Sequence, residues 1–287
     1  MSAATPATPF ALVAIGLWAT LASLGTALSH LPPFLLTGVA LILGSVITWP
    51  FALRDRAAWA VPPLTLALGI YGLFGYHLLL FLALRTAPSV EANLVNYLWP
   101  LLLVVLAPVV LPNTALRPRH VGAALLGFAG AAIAILGAAG TTASTTTSSR
   151  SPGGFVLAAA AAFVWATYSL LTKRVRAFST LAIGLFGLVS GALSLVCHAL
   201  LEPRVVPTAR DWLLLVVCGV GPLGAAFLCW DRALKHGDPR QIGILSYVTP
   251  LLSTTLLLVV TGRPLTGSIA LAAAFILGAA ALGATRE

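Results

Sequence analysis

The sequence predicts an all-α membrane protein that crosses the bilayer ten times. Of the 287 residues, 59% are hydrophobic and 8% are charged, whereas a typical soluble domain carries about 25% charged residues. The mean hydropathy is +1.02. The few charges separate apolar windows of membrane-spanning length, and most of the basic residues fall on one side of the predicted membrane. These observations exclude a soluble enzyme, and the scattered basic residues exclude a nucleic-acid binder, which needs them clustered on one face.

The charge-free windows supply the ten helices in order. A helix needs about 20 apolar residues to cross the hydrocarbon core. The first 53 residues contain no charged side chain and provide two helices, with a break at residues 29–33, where the sequence is Ser-His-Leu-Pro-Pro. One helix each is predicted in windows 57–84, 92–116, 120–149, 151–172, 177–201, 212–230, 241–262 and 264–285. Transmembrane β-strands would be short and alternating, so these continuous runs favour helices.

The basic residues predict that both termini lie in the cytoplasm. With the N-terminus inside, eleven of the sixteen Lys and Arg residues fall on the cytoplasmic side, as the positive-inside rule favours. No Lys or Arg precedes Phe10, so the basic start of a secretory signal is missing and the first helix is expected to be retained. The expected location is the cytoplasmic membrane of a bacterium, with the lipid bilayer as partner and a monomeric chain.

The sequence also contains an internal repeat. Trp-Ala-Thr at 18–20 recurs at 165–167, and Tyr-x-x-Pro-Leu-Leu at 97–102 recurs at 247–252. Five helices per half is an odd number, so the second half enters the membrane from the opposite side. We therefore predict inverted five-helix repeats at 1–140 and 153–287, joined by a polar external linker at 141–152; chance similarity of Ala- and Leu-rich helices is the alternative. Inverted repeats are typical of secondary transporters that bind substrate near the membrane midplane.

Neutral polar groups within the spans are the main candidates for binding. One face of the fourth helix and one of the ninth carry such groups at spacing i, i+3, i+4, i+7. They are Asn93, Asn96, Tyr97 and Pro100 on the fourth helix, and Gly243, Ser246, Tyr247 and Pro250 on the ninth. Each face is expected to line a cavity or, alternatively, to join two helices. Both prolines are predicted hinges, because proline removes a backbone donor.

Aromatic residues near the centre of the spans predict an apolar pocket with a few polar groups. The candidates are Trp18, Tyr76, Trp99, Trp165 and Tyr168. On an ideal helix Trp99 points about 200° away from Tyr97, so both face one cavity only if the helix is distorted near Pro100. Such a pocket suits a small amphipathic or aromatic ligand.

Ionisable residues are scarce within the predicted spans. His77 lies near the middle of the third helix, where it either packs against a carbonyl or lines a pathway and carries a proton. Asp231 precedes Arg232 and Lys235, which predicts a local ion pair near the interface. Three widely spaced cysteines indicate neither a disulfide framework nor a metal site. Because ATP-binding, zinc-protease and serine-hydrolase motifs are also missing, neither a cofactor nor enzymatic activity is expected.

Two apolar tracts resemble those of the drug/metabolite transporter superfamily, in its ten-helix form with two EamA domains. In the first half the matching residues are Ala83-Leu84, Ala87-Pro88-Ser89, Ala92, Leu94, Leu98, Pro100-Leu101, Gly122, Gly127 and Gly130. In the second half they are Ala233-Leu234, Gly237-Asp238, Leu245, Pro250-Leu251-Leu252 and Gly278. The Gly-Glu pair common in the family after helices 4 and 9 is replaced by Pro112-Asn113 and Gly262-Arg263, so no role is transferred to that Glu.

Within the superfamily, the Tyr-Leu-Trp-Pro string at 97–100, with Tyr76 and Trp165, resembles the cavity lining of the aromatic amino-acid exporters. The resemblance implies a basket of helices 1, 3, 4, 6, 8 and 9, with helices 5 and 10 peripheral. It also implies export of aromatic amino acids and related small amphipathic metabolites by alternating access, expected here as facilitated diffusion. Asn93, Asn96 and Ser246 are expected to bond the amino and carboxylate ends of the substrate.

Other functions remain compatible with the sequence. A transporter of another solute class, with or without proton coupling, is the main alternative. A membrane-embedded enzyme would need a cluster of carboxylate, His or Ser side chains at one depth, and none is visible. A lipid scramblase would need a groove that is open to lipid, which a sequence does not reveal.

Overall fold

The computed structural model describes residues 7–112, 114–139, 152–262, 264 and 267–284. Within these ranges the regular structure is entirely helical. Apart from Pro152, which starts a helix, the predicted linker at 141–152 lies outside the described residues.

Nine helices in the described ranges are long and apolar enough to cross a membrane. They are α1 (Ala7–Ala27), α2 (Pro33–Arg54), α3 (Pro63–Thr86), α4 (Ser89–Val110), α5 (Pro118–Ala139), α6 (Pro152–Leu171), α7 (Ala182–Leu201), α8 (Ala209–His236) and α9 (Pro239–Val260). A further helix, α10 (Gly267–Ala284), contains the shorter apolar stretch Gly267–Gly283. The predicted all-α, polytopic membrane fold is confirmed.

Proline and a capping box determine where many helices begin. Proline is the first residue of α2, α3, α5, α6 and α9, a position where its missing N–H removes no intrahelical bond. At the start of α8, Thr208 accepts a hydrogen bond from the Asp211 amide, and Asp211 accepts one from the Thr208 amide. This reciprocal pairing satisfies two donors that a helix N-terminus leaves free.

Four of the helices contain irregularities whose positions match between the two halves of the chain. π-helical turns occupy Tyr71–Gly75 in α3 and Gly221–Ala225 in α8, 150 residues apart. Turns at 97–98 in α4 and 246–247 in α9 interrupt the α-helical pattern almost the same distance apart. The predicted hinges Pro100 and Pro250 lie in the first turn of the segments that follow these interruptions.

Glycine allows the helices to approach closely at two places away from the centre. A Cβ atom on Gly191 of α7 would lie 2.8 Å from the Gly38 carbonyl oxygen of α2, and one on Gly130 of α5 would lie 3.0 Å from the Ala272 carbonyl oxygen of α10. Small residues permit such backbone contact in lipid, where van der Waals packing drives helix association. The pairs α2–α7 and α5–α10 therefore pack backbone to backbone.

Gly44 makes a similar contact between α2 and the π-helical turn of α8. A Cβ atom here would lie 2.6 Å from the Gly219 carbonyl oxygen and 2.8 Å from that of Leu223. We expect Gly44→Ala to reduce the free energy of unfolding by about 1–3 kcal/mol, because backbone atoms must move. Gly16→Ala is the matched control, since its Cβ would meet nothing within 4 Å. Unfolding in mixed micelles measures both, and equal stabilities would contradict the prediction.

Candidate functional site

Seven aromatic side chains from five helices meet at the centre of the fold. This aromatic cluster comprises Trp18 of α1, Tyr76 of α3, Trp99 of α4, Trp165 and Tyr168 of α6, and Phe227 and Trp230 of α8. Trp165 lies in the middle of this cluster, because its ring centroid is between 5.4 and 6.4 Å from those of the other six rings. Such separations are typical of attractive aromatic pairs, so the rings pack directly against one another.

The buried hydrophobic group around this cluster contains residues from every helix of the expected basket and from two further helices. Its members come from helices that include α1, α3, α4, α6, α8 and, through Ile242, α9. Among the described residues, none from α5 or α10 belongs to it. α2 and α7 also contribute, through Leu41 and Phe186.

Two indole N–H groups are held by hydrogen bonds within the cluster. Trp18 Nε1 donates to the Pro222 carbonyl at 3.1 Å, inside the π-helical turn of α8. Trp230 Nε1 donates to Ser169 Oγ at 3.1 Å, linking α8 to α6. Buried indole groups usually find such partners, and here the bonds fix the orientation of both rings.

A polar pair lies at one edge of the aromatic cluster. Asn96 is 4% exposed and is the last residue before the interruption of α4. Its Nδ2 donates to the Tyr76 hydroxyl at 3.1 Å, and the Tyr76 ring lies 5.4 Å from that of Trp165. The Asn96 Oδ1 atom is buried without a hydrogen-bond partner. The pair thus adds hydrogen-bonding groups to an otherwise aromatic centre.

His77 lies beside the cluster and bonds to its own helix. Its Nδ1 is 2.6 Å from the Leu73 carbonyl oxygen, and its ring lies 5.0 Å from that of Tyr76. This geometry matches the first of the two sequence interpretations, a histidine that packs against a nearby carbonyl.

Two of the other predicted site residues, Tyr247 and Ser246, make their described contacts away from the aromatic cluster. Tyr247 packs beside Phe128 of α5 at 6.4 Å, and it fills the space that a side chain at Gly127 would need. Ser246 Oγ donates to the Ile242 carbonyl within α9. Asn93 and Tyr97 are half-buried. Because α4 is interrupted at 97–98, Trp99 reaches the cluster, whereas among the described ring contacts none joins Tyr97 to it.

Sequence reasoning missed Phe227 and Trp230. The repeat offered a signal for Phe227, because it lies 150 residues after His77. Trp230 directly precedes Asp231, whose charge predicts a position near the membrane interface rather than at the centre of the fold. Among the described residues, no group of three His, Cys, Asp or Glu could hold a metal ion.

A set of polar contacts ties helices together at the end of the bundle where α1 begins, called the N end. The lysine clasp comprises Lys173, Thr180, Asp231 and Lys235, and it contains both lysines of the chain. Lys235 Nζ lies 2.6 Å from Asp231 Oδ2, which confirms the predicted ion pair. Thr180 Oγ1 donates to the same oxygen at 2.6 Å and accepts from Lys235 at 3.2 Å.

Lys173 completes the clasp from the end of α6. Its Nζ donates to the carbonyls of Leu234 at 2.5 Å and Gly237 at 2.9 Å, so it caps the C-terminus of α8, where a positive charge is favourable. Half-burial lowers the pKa of the Lys173 amine, and the nearby Asp238 carboxylate opposes this shift. The clasp thus joins the ends of α6 and α8 to the start of α7.

Two arginines make further contacts between the halves of the chain at the N end. Arg174 donates to the Val110 carbonyl at 3.0 Å, at the C-terminus of α4. Arg240 donates to the Ala115 carbonyl and forms an ion pair with Asp238. Burial raises the pKa of Asp238, but the hydrogen bonds and charge of Arg240, together with His120, hold that pKa below its usual value.

The opposite end of the bundle, the far end, has a related contact. Arg85, 150 residues before Lys235, lies 2.6 Å from the fully buried carboxylate of Glu202, which directly follows α7. Glu202 also accepts from the amides of Phe34 and Leu35 at the start of α2, where a negative charge is favourable. The cationic groups of Arg85 and Lys235 each lie over a phenylalanine ring. Arg85 lies 5.7 Å from the centre of the Phe34 ring, and Lys235 lies 3.9 Å from that of Phe178.

Comparisons with known proteins agree with this architecture. The EamA-like transporter family matches residues 6–136 and 152–284. The aromatic amino acid exporter YddG of Ancylobacter novellus is 41% identical over 279 residues, covering 96% of each chain. The exporter of the same name from Escherichia coli K12 is 27% identical over 285 residues, again covering 96% of each chain. One crystal structure superposes with a TM-score of 0.89, at 39% identity and 98% coverage of both chains. The chain belongs to the EamA-like transporter family.

Proposed function

We propose that this protein exports aromatic amino acids and related small amphipathic metabolites across the bacterial cytoplasmic membrane as a secondary transporter. The observation that carries this proposal is the central aromatic cluster, in which the Trp165 ring contacts six others. The polar pair of Asn96 and Tyr76 lies at its edge. An apolar, aromatic site with a few polar groups suits an aromatic ring that carries a polar end. Similarity to proteins named aromatic amino acid exporter supports this substrate class.

The proposed substrate site is formed by the aromatic cluster together with Asn96 and His77. Trp18, Tyr76, Trp99, Trp165 and Tyr168 come from the sequence prediction, and Phe227 and Trp230 extend it. Asn93, Tyr97, Ser246 and Tyr247 remain sequence predictions. Their contribution depends on a rearrangement of α4 and α9 at the interruptions beside Pro100 and Pro250.

The proposed topology has ten crossings in two inverted repeats, 1–140 and 153–287, with both termini cytoplasmic. The repeat is supported by matching irregularities, since the π-helical turns of α3 and α8 begin 150 residues apart. Arg85 and Lys235 occupy equivalent positions but lie at opposite ends of the bundle, as an inverted repeat requires. The N end is then the cytoplasmic end, because most basic residues lie there.

Transport is proposed to occur by alternating access without ion coupling. The rings of the aromatic cluster touch one another, so a substrate ring can insert only if the helices that carry them separate. The lysine clasp and the contacts of Arg174 and Arg240 close the N end in the observed conformation. The cluster itself contains no ionised side chain, which favours facilitated diffusion.

Counterflow into liposomes tests this proposal. Liposomes loaded with unlabelled phenylalanine should accumulate labelled phenylalanine transiently, and an imposed pH gradient alone should not drive accumulation. Empty liposomes and liposomes loaded with lysine are the controls, because lysine has no aromatic ring. Absence of counterflow with phenylalanine, tyrosine and tryptophan would refute the substrate class, and accumulation driven by the pH gradient would refute facilitated diffusion.

A further inference from the structure

Asn96 leaves one strong hydrogen-bond acceptor unused at the centre of the fold. The side chain is 4% exposed, and its Oδ1 atom has no partner. An unsatisfied buried polar group is costly. Nine such atoms occur among the described residues, and Asn96 Oδ1 is the one that belongs to the polar pair at the edge of the aromatic cluster. A donor supplied by a ligand would satisfy the Oδ1 atom.

Tyr76 complements this acceptor with a donor. Its hydroxyl oxygen accepts the hydrogen bond from Asn96 Nδ2 at 3.1 Å, which leaves the hydroxyl proton free to bond elsewhere. The Asn96 and Tyr76 side chains therefore offer one acceptor and one donor next to each other. The Tyr76 ring contacts Trp165 at 5.4 Å, so both groups lie beside the surface on which a substrate ring would stack.

Two acidic side chains of the bundle have basic partners near its two ends. Asp231 Oδ2 is bound by Lys235 and Thr180 at the N end, and Glu202 is bound by Arg85 and His198 at the far end. The aromatic cluster and its polar pair contain only neutral side chains, so this pair would bind a zwitterion through neutral groups. Hydrogen bonds in which only the ligand is charged are still about twice as strong as those between neutral partners.

We infer that Asn96 Oδ1 accepts a hydrogen bond from the α-ammonium group of the substrate, while the Tyr76 hydroxyl donates one to its carboxylate. This assignment rests on the proposed function and specifies it. The transported class is then aromatic compounds that carry both a free amino group and a free carboxylate. Aryl carboxylates without the amino group leave Oδ1 unsatisfied, and aryl amines leave the Tyr76 proton without an acceptor.

Competition binding with the purified full-length protein tests this assignment. Displacement of labelled phenylalanine is measured with phenylalanine, with 3-phenylpropionate, which lacks the ammonium, and with phenethylamine, which lacks the carboxylate. In the unmodified protein we expect 3-phenylpropionate to bind about tenfold to a hundredfold more weakly than phenylalanine, the effect typical of one hydrogen bond to a charged group. In Asn96→Leu the affinities of phenylalanine and 3-phenylpropionate should differ by no more than about threefold, because the binding of phenylalanine weakens and that of 3-phenylpropionate does not.

Tyr76→Phe provides a second variant that keeps the ring and removes only the hydroxyl. In this variant phenethylamine and phenylalanine should bind with nearly equal affinity. The ratio of the affinities of phenylalanine and 3-phenylpropionate should change less. Thr255→Val is the matched control, because Thr255 Oγ1 bonds only to the Leu251 carbonyl of its own helix. All ratios should be preserved in this control.

The outcomes separate this inference from the function on which it rests. If the unmodified protein does not bind phenylalanine, the proposed function fails. If it binds phenylalanine, but Asn96→Leu weakens phenylalanine and 3-phenylpropionate by the same factor, Asn96 acts only through structure and the inference is overturned. Equal binding of both compounds by the unmodified protein would overturn it as well.

Discussion

Trp165→Ala should reduce phenylalanine counterflow per folded protein at least about thirtyfold. Trp165 is the only ring of the aromatic cluster that contacts all six others, so its removal takes away the surface that positions the rest. A buried aromatic anchor at the centre of a binding site typically contributes ~2 kcal/mol or more, which corresponds to about thirtyfold in affinity. Reconstituted counterflow at several substrate concentrations measures the loss.

Folding must be separated from binding in this experiment. Truncation of a buried tryptophan also removes packing that is worth about 3–5 kcal/mol. Trp165→Phe keeps an aromatic surface and should retain the fold and part of the transport. Trp212→Ala is the control, because Trp212 is 46% exposed in the first turn of α8. A folded Trp165→Ala protein with unchanged counterflow would remove Trp165 from the site.

Lys235→Met should lower the free energy of unfolding by about 3 kcal/mol, the lower end of the range for breaking a buried ion pair. Asp231 is 3% exposed, and Lys235 and Thr180 supply its two contacts in the clasp. Loss of the ammonium leaves a carboxylate that is buried and largely uncompensated. The lower end applies because the Lys235 side chain is 23% exposed, so water screens part of the interaction. Unfolding in mixed micelles gives the magnitude.

The double variant Lys235→Met with Asp231→Leu distinguishes this mechanism from a simple loss of contacts. Replacing both members of a buried pair with apolar residues removes the unpaired charge and is often close to neutral. We therefore expect the double variant to recover at least half of the stability lost in Lys235→Met. Arg54→Met, at an exposed position in the last turn of α2, should have little effect. Additive losses in the double variant would contradict the assigned role of the pair.

Most of the helices could be predicted from the sequence because charge is costly in hydrocarbon. The break before Pro33 lies where the sequence placed it, and the predicted pair of Asp231 and Lys235 is present because residues four apart on a helix are neighbours. Trp165 and Tyr168, both predicted for the aromatic pocket, lie three residues apart on α6, and their rings are 5.4 Å apart. Local spacing was sufficient in each of these cases.

Contacts between distant helices were predicted less well. Tyr97 and Tyr247 occupy equivalent positions of the repeat, but Tyr247 packs towards α5, and Trp99 takes the central place on α4. Phe227 and Trp230 follow the π-helical turn of α8, and Ser169 Oγ accepts the hydrogen bond that orients the Trp230 ring. No spacing along one helix contains this information.

The sequence by itself determined that the chain is a polytopic helical membrane protein with a repeated pattern and a neutral, aromatic interior. Only the tertiary structure decided which side chains share the centre, that Asn96 retains an unused acceptor, and that both lysines close the N end. The physical reason is that the solvent around the helices is lipid, which is itself apolar. In water, a hydrophobic stripe marks the buried face of a helix, but lipid is as apolar as leucine. The face turned inwards is then chosen by glycine contacts, helix irregularities and hydrogen bonds between helices.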